Sequence, residues 1–114
     1  MTYQELNEAI KNGRKSFTGE DLRNQSFYGL DITDADFRGS DLRGADFGDT
    51  ILHWARFDGA DLRGALFDET GLQWAHFSGA DLRGARRNLC DFSGSTFGGA
   101  DLRGTEIGKE ALGH

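Results

Sequence analysis

The apolar residues of this chain recur every five positions from residue 15 to residue 114. These one hundred residues divide without an insertion into twenty pentads, and the centre of nineteen pentads is Leu, Phe or Ile. All nine phenylalanines of the protein lie at such centres. Position i−2, two residues before the centre, is small (Ala, Ser, Thr or Cys) in fifteen pentads, and position i+2 is glycine in eleven. This regularity indicates a repeat protein in which each pentad is one structural unit.

A period of five fits neither a regular helix nor a straight strand. Five residues advance an α-helix by about 500°, so successive centres would spiral around its axis. On a strand, an odd period places successive centres on opposite faces. The centres share one side only if the chain turns once per pentad, and glycine at i+2 supplies the backbone freedom for that corner. A second period of twenty, marked by Ala-Asp-Leu-Arg-Gly at residues 60–64, 80–84 and 100–104, predicts coils of four pentads with their centres inside.

Five stacked coils of square cross-section place centres twenty residues apart above one another, in four ladders. The first face contains Leu22, Leu42, Leu62, Leu82 and Leu102. The second face contains Phe27, Phe47, Phe67, Arg87 and Ile107. The third face contains Ile32, Leu52, Leu72, Phe92 and Leu112. The fourth face contains Phe17, Phe37, Phe57, Phe77 and Phe97.

Arg87 is the one polar centre, in a pentad that reads Ala-Arg-Arg-Asn-Leu. A guanidinium group in a dry core is costly without a partner. Either the backbone bulges and Leu89 fills the core, or Arg87 leaves the core and pairs with an acidic residue; the local distortion is the favoured interpretation. The single cysteine, Cys90, falls at a small i−2 position, where we expect a buried apolar side chain.

The first fourteen residues do not follow the five-residue pattern and predict a short helix. Thr2 and Glu5 form a capping-box pattern at its start. Leu6 and Ile10 lie four residues apart and so share one face, and Gly13 is a suitable helix stop. The sequence therefore predicts a helix at about residues 3–12 whose apolar side packs on the first coil, because so short a helix is marginal alone.

Ala-Asp-Phe at residues 35–37 and 45–47, with the three copies of Ala-Asp-Leu-Arg-Gly, follows the pattern A(D/N)LXX. In this respect residues 15–114 resemble the pentapeptide-repeat proteins. The resemblance implies an all-β fold, a right-handed quadrilateral β-helix (solenoid) of about five four-sided coils, with i and i−2 inside and i−1, i+1 and i+2 outside. The expected organisation is an N-terminal capping helix at residues 1–14 and a β-helix at residues 15–114.

The charge balance limits the classes of partner. The chain has 13 basic and 19 acidic residues, a net charge of −6. Direct binding to nucleic acid or to an anionic membrane needs a basic excess, whereas an acidic chain permits a basic partner. No apolar run approaches membrane-spanning length. One cysteine and no apolar signal segment near Met1 indicate a reducing, cytoplasmic compartment.

Two tryptophans are the sharpest departure from the repeat. Trp54 and Trp74 occupy i+2, where glycine is usual, one coil apart on the same corner, so we expect them to point outward and stack. Arg56 is placed to lie over an indole ring. The pair is either a ladder that shields one corner or a protein-binding hot spot. The other residues expected around it are Ile51, His53, Gln73 and His76.

Acidic residues are a second departure. One group lies on the second face and its corner, at Asp46, Asp49, Asp68 and Glu69; another lies near the first coils, at Asp31, Asp34 and Asp36. The simplest interpretation is a solvated face. Some pentapeptide-repeat proteins act as duplex-DNA mimics that bind type II topoisomerases, so the resemblance also implies an acidic DNA mimic that modulates DNA gyrase. This chain is shorter than those proteins and lacks their interrupting loops and a clear C-terminal dimerisation helix.

No residue set argues for catalysis, a cofactor or a metal. The histidines are dispersed, and a solenoid filled with side chains is expected to offer no pocket. The Asp and Arg residues beside each first-face leucine are net neutral, and we interpret them as structural. The sequence therefore predicts a non-catalytic protein-interaction or scaffold module whose protein partner it does not identify, with no direct nucleic-acid or membrane contact. A remaining alternative is a self-assembling element that forms a homodimer through the C-terminal coil at residues 109–114.

Overall fold

The structure is a computed structural model, and it describes residues 1–105. Helix α1 (Tyr3–Lys11) is followed by coils in which β1 (Leu66–Asp68) and β2 (Arg86–Asn88) form a parallel pair. The remaining strand pairings between coils, within the described residues, are single parallel bridges. The expected core residues Ile107 and Leu112 and the C-terminal coil at residues 109–114 lie outside the described residues.

Helix α1 begins and ends as the sequence predicts. Thr2 is the N-cap: its backbone N–H donates to Glu5 Oε1 at 2.8 Å, and its Oγ1 accepts the Glu5 backbone N–H at 3.1 Å. Asn12 is the C-cap, and Gly13 follows at φ +88°. Leu6 is fully buried in the same core as the first coil. The helix therefore covers the apolar end of the solenoid.

Residues twenty apart pair throughout the solenoid. Every bridge between coils, from Ser16 with Asp36 to Asp81 with Asp101, keeps this spacing. Every fifth residue from 19 to 104 has a φ between 49° and 75°. At one such corner, the Ala45 N–H donates to the Leu42 carbonyl at 3.0 Å. This bond and the positive φ at the third position define a type II turn. The chain thus turns once per pentad and forms a β-helix.

The centres fill the interior. From Phe17 to Leu82 every apolar centre is buried, whereas Phe97 and Leu102 near the end of the described region are partly buried. Phenylalanine rings of the fourth face stack with centroids 5.0–5.4 Å apart. Rings of the second face stack in the same way and meet the fourth face edge-on at 5.6–6.5 Å. Such arrangements add to the burial of the rings.

The backbone does not bulge at Arg87. Strand β2 pairs with β1 in the normal twenty-residue register, with Arg87 opposite Phe67. Leu89 is 73% exposed, at the corner, with φ +55°. The expectation that Leu89 fills the core is therefore wrong. Backbone hydrogen bonds on both sides of the pentad fix its register, so one polar centre does not shift the chain. Arg87 itself is partly buried.

Cys90 is only partly buried, because it lies in the less covered C-terminal part of the solenoid. Its Sγ lies 2.8 Å from the Phe67 carbonyl oxygen in the preceding coil. Thr70, one coil earlier in the same column, makes the equivalent bond to the Phe47 carbonyl at 2.7 Å. The side chains at i−2 in this column thus tie successive coils together.

Asp and Arg side chains form a paired wall on the first face. Arg63 holds Asp61 through two bonds, at 2.9 Å from Nε and 2.6 Å from Nη2, and its Nε lies 3.7 Å from Asp81 of the next coil. Such bonds hold the pKa of these carboxyl groups low, and that of Asp21 at about 2. The wall is half-exposed and internally neutralised, so it offers little charge to a partner.

Candidate functional site

Trp54 and Trp74 form a stacked pair on the corner between the third and fourth faces. Their ring centroids are 5.5 Å apart with planes 13° from parallel, and each residue is 50% exposed. Gly94 occupies the next corner of the column. A Cβ atom there would lie 2.3 Å from the Trp74 indole, so the Trp74 ring covers Gly94. We call the two indoles the tryptophan ladder.

The ladder occupies strained backbone. Trp54 has φ +65° and Trp74 has φ +61°. The left-handed region costs an L-residue about 1–2 kcal/mol, and a bulky residue there is an outlier. Most corners of this solenoid avoid the cost with glycine. Strained residues of this kind concentrate at functional sites, so the ladder is the first candidate for a site.

Ile51 and His53 extend the ladder across the third face. Ile51 is 39% exposed. The His53 ring lies against Gly71, where a Cβ atom would come within 2.7 Å of it. His53 Nδ1 accepts the backbone N–H of Gln73 at 3.2 Å, which places the proton of the neutral ring on Nε2. An ordered apolar and aromatic surface therefore runs from Ile51 to the ladder.

Arg56 and His76 lie beyond the corner, on the fourth face. The two pair in adjacent coils, and Arg56 pairs on its other side with Asp36. The pKa of Asp36 is lowered mainly by the hydrogen bond from Arg38, with a smaller contribution from the Arg56 charge. Within residues 1–105 the cation–π contact is that of Arg14 over Phe17, at 4.6 Å. The expected stacking of Arg56 on an indole is wrong, because its backbone position directs it onto the next face.

Carboxylates flank the ladder on the third face. Asp31 and Asp34 belong to the coil before it, and Asp91 to the coil after it. The third face contributes no lysine or arginine among the described residues. Among the described residues, the Lys15 ammonium group reaches this face from a neighbouring pentad and donates to the Thr33 carbonyl at 2.7 Å, so three carboxylates stand against one ammonium group. The surface around the ladder is therefore acidic.

The acidic group predicted on the second face is only partly assembled in the structure. Asp49 and Glu69 occupy successive corners, and their contact, with the nearby charge of Asp68, raises the pKa of Glu69. Contact with Asp49 likewise raises the pKa of Tyr28. Asp46 instead accepts the backbone N–H two residues on, at 2.9 Å. Asp49, Asp68 and Glu69 thus form one acidic corner, whereas the Asp46 carboxylate is engaged by the backbone of its own pentad.

An open groove lies on the second face, where the sequence predicts none. Tyr28 and Leu66 are 61% and 40% exposed beside it, and its volume is about 420 Å³. The expectation of no pocket is wrong, because this groove lies on the outer surface and does not depend on space in the interior. The available signal was Gly48 beneath the Tyr28 ring, and Leu66 at position i−1, where aspartate is the most frequent residue of the repeat. The groove is lined by Tyr28, Asp46, Gly48, Leu66, Phe67, Asp68, Arg86, Arg87 and Asn88.

Residues 1–105 contain neither a metal-binding cluster nor a membrane-spanning helix. No cluster of three or more histidine, cysteine or acidic side chains in residues 1–105 is arranged to hold a metal ion. No helix in the same range has the length and apolar character needed to cross a membrane.

Comparisons with known families agree with the repeat pattern. The family described as "Pentapeptide repeat region" matches residues 31–107, and "Pentapeptide repeats (8 copies)" matches residues 16–44. No curated protein matches the sequence.

Solved structures of pentapeptide repeat proteins are also similar to this chain, and one of them agrees with the repeat pattern in its fold. A pentapeptide repeat protein (Rfr23) from the cyanobacterium Cyanothece 51142 is 26% identical with a TM-score of 0.76; the match covers 79% of this chain and 62% of that one. This chain therefore spans less than two thirds of that protein. A thylakoid-lumen pentapeptide repeat protein from Arabidopsis thaliana is 31% identical over 81% of this chain and 71% of its own, with a TM-score of 0.39. One from Nostoc PCC 7120 is 29% identical over 99% and 94%, with a TM-score of 0.46.

Proposed function

Because this chain belongs to the pentapeptide-repeat proteins, we propose that it is a non-catalytic protein-interaction module that binds its partner through the tryptophan ladder. The observation that carries the proposal is the pair of strained, stacked and half-exposed indoles at Trp54 and Trp74. Tryptophan is among the residues that most often anchor protein interfaces. Ile51 and His53 complete the contact surface.

The scaffold in this proposal is a right-handed quadrilateral β-helix of about five coils in the cytoplasm. Its support is the twenty-residue register of the bridges and the positive φ at every fifth residue. A rigid solenoid presents the indoles in a fixed arrangement, so little side-chain entropy is lost when a partner binds.

Selection of peptides from a random display library tests the proposal. The full-length chain is compared with the double variant Trp54→Gly and Trp74→Gly, in which glycine suits the positive φ of both corners. The control is Leu89→Gly, which removes an exposed apolar side chain from a different corner. We expect enriched peptides that bind the wild-type and control chains and lose at least about tenfold in affinity, or 1.4 kcal/mol, on the double variant. Peptides that bind all three chains equally would contradict the proposal.

An acidic DNA mimic acting on a topoisomerase is the second candidate. The acidic corner at Asp49 and Glu69, the net charge of −6 and the 20 × 19 Å cross-section favour it. A DNA gyrase supercoiling assay separates the two candidates. The mimic predicts inhibition that Asp49→Asn with Glu69→Gln removes and the tryptophan variants retain. Absence of inhibition by the wild-type chain at high concentration would exclude the mimic.

Self-assembly through the C-terminal coil is a separate proposal. It rests on the sequence alone, since residues 109–114 lie outside the described residues. It predicts a dimer by sedimentation at micromolar concentration. A monomer at high micromolar concentration would contradict it.

A further inference from the structure

We propose that the partner segment that docks on the tryptophan ladder presents an arginine, whose guanidinium group stacks on Trp54 and pairs with Asp34. The inference rests on the proposed function and adds the chemistry of the partner. It follows from three properties of the third face: the open ring of the ladder, the position of an uncommitted carboxylate, and the absence of lysine and arginine from the described residues of that face, which only the Lys15 ammonium group reaches from a neighbouring pentad.

The ladder has one open end. One face of the Trp74 ring meets Trp54, and the other covers Gly94. Trp54 is covered on one side by Trp74, so its other side faces the coil that contains Asp34. The rings are nearly parallel and form a flat platform, not a cage around a cation. A planar guanidinium group stacks on such a platform better than a compact ammonium group does.

Asp34 supplies the negative charge at the open end. It occupies the corner directly before Trp54 in the column, and its backbone N–H donates to the His53 carbonyl at 2.9 Å. Its carboxylate makes no hydrogen bond or ion pair within residues 1–105. An arginine stacked on Trp54 therefore has a carboxylate within reach of its N–H groups, and arginine binds carboxylates through paired bonds.

The other carboxylates of the third face are already engaged. Asp31 accepts the Thr33 hydroxyl at 2.8 Å. Asp91 accepts the Ser93 backbone N–H at 2.9 Å and the Gln73 side-chain amide at 2.7 Å. They make the surroundings negative without offering a second bare carboxylate, so Asp34 is the group that selects the cation.

The same charges disfavour a nucleic acid. Exposed indoles also stack on nucleobases, but phosphates bound here would lie beside Asp31, Asp34 and Asp91, and the Lys15 ammonium group at the Thr33 carbonyl is too little positive charge to offset three carboxylates. The structure therefore favours a protein segment with arginine over a nucleic-acid strand.

Tryptophan fluorescence reports directly on this site, because both tryptophans of the protein are in the ladder. Three probes are titrated into the full-length chain: a capped Gly-Arg-Gly-Arg-Gly peptide, the same peptide with lysine, and oligothymidine. We expect a saturable emission change with the arginine peptide and half-saturation at about fivefold to tenfold higher concentration with lysine. Asp34→Asn, which keeps a residue that tolerates positive φ, should weaken arginine binding about fivefold or more. The matched control is Asp49→Asn, at the acidic corner that Asp49 forms with Glu69, and it should leave the affinity for the arginine peptide unchanged.

Equal responses to arginine and lysine, stronger binding of oligothymidine, or no effect of Asp34→Asn would each overturn the inference. The peptide selection separates this failure from failure of the proposed function. Selected peptides that need the ladder but contain no arginine would leave the proposed function standing and refute the arginine contact. Absence of ladder-dependent peptides would refute the proposed function itself.

Discussion

Substitution of Gly94 by alanine tests the geometry of the tryptophan ladder. Gly94 has φ +75°, and an added Cβ would lie 2.3 Å from the Trp74 ring. Gly59 is the matched control, because it has φ +67° at another corner and an added Cβ there has no neighbour within 4 Å. Both alanines meet the same backbone strain, and only the one at position 94 meets an indole.

The expected magnitudes follow from these two positions. Positive φ destabilises either alanine variant by about 1–2 kcal/mol. At position 94 the added Cβ also meets the Trp74 ring. If the ring moves away, its stack on Trp54 is lost, at a cost of about 0.5–1.5 kcal/mol. If the ring stays, the overpacking costs about 1–3 kcal/mol. Gly94→Ala should therefore cost about 1–2 kcal/mol more than Gly59→Ala. In the Trp74→Gly background this excess should disappear.

Urea unfolding followed by far-ultraviolet circular dichroism measures the four members of this double-mutant cycle without using the altered fluorophore. Equal slopes of unfolding free energy against urea would show that the exposed surface is unchanged. Equal costs for the alanines at positions 94 and 59, or a coupling with Trp74→Gly below about 0.5 kcal/mol, would refute the placement of the Trp74 ring over Gly94.

Three further predictions concern the scaffold, each measured by chemical unfolding. Phe77→Ala, in the middle of the fourth-face ladder, should destabilise the fold by about 3–5 kcal/mol, and Phe97→Ala, at a partly buried position, by at least about 1 kcal/mol less; equal costs would contradict a graded core. Thr2→Ala should cost about 0.5–2 kcal/mol by removing the N-cap of α1, and an unchanged midpoint would count against the cap. Because Arg63 lowers the folded-state pKa of Asp61, the stability from this pair should be full above about pH 4 and fall as the pH drops below it. Asp61→Asn should make that fall shallower, and an identical pH profile would show that the pair is not coupled to folding.

The corners, core and capping helix are predictable from sequence because each depends on local, repeated chemistry. Glycine at i+2 signals a positive φ, and the regular spacing carries that conformation to Trp54 and Trp74, whose own preferences oppose it. Phenylalanine and leucine at the centres report the interior directly. Thr2 and Glu5 specify the start of α1 through their own side chains.

The irregular positions are less predictable because neighbouring coils decide them. Arg87 by itself favours a distortion, but bonds to the coil before it hold the register and leave Leu89 exposed. Arg56 is close to Trp54 in sequence, yet the corner between them sends it to another face. The groove at Leu66 depends on the absence of a side chain at Gly48, one coil away. The register at Arg87 and the groove at Leu66 thus require contacts between neighbouring coils, whereas the direction of Arg56 is set by the local corner.

The most direct test of the binding surface is a nuclear magnetic resonance titration of the isotopically labelled full-length chain with the capped arginine peptide. The two indole N–H signals identify the two tryptophans of the chain. We predict that the Trp54 indole and the amides of Asp34 and His53 shift most, that Trp74 shifts less, and that the second face does not change. Shifts centred on Tyr28 and Leu66, with both indole signals unchanged, would contradict the account and place binding at the groove.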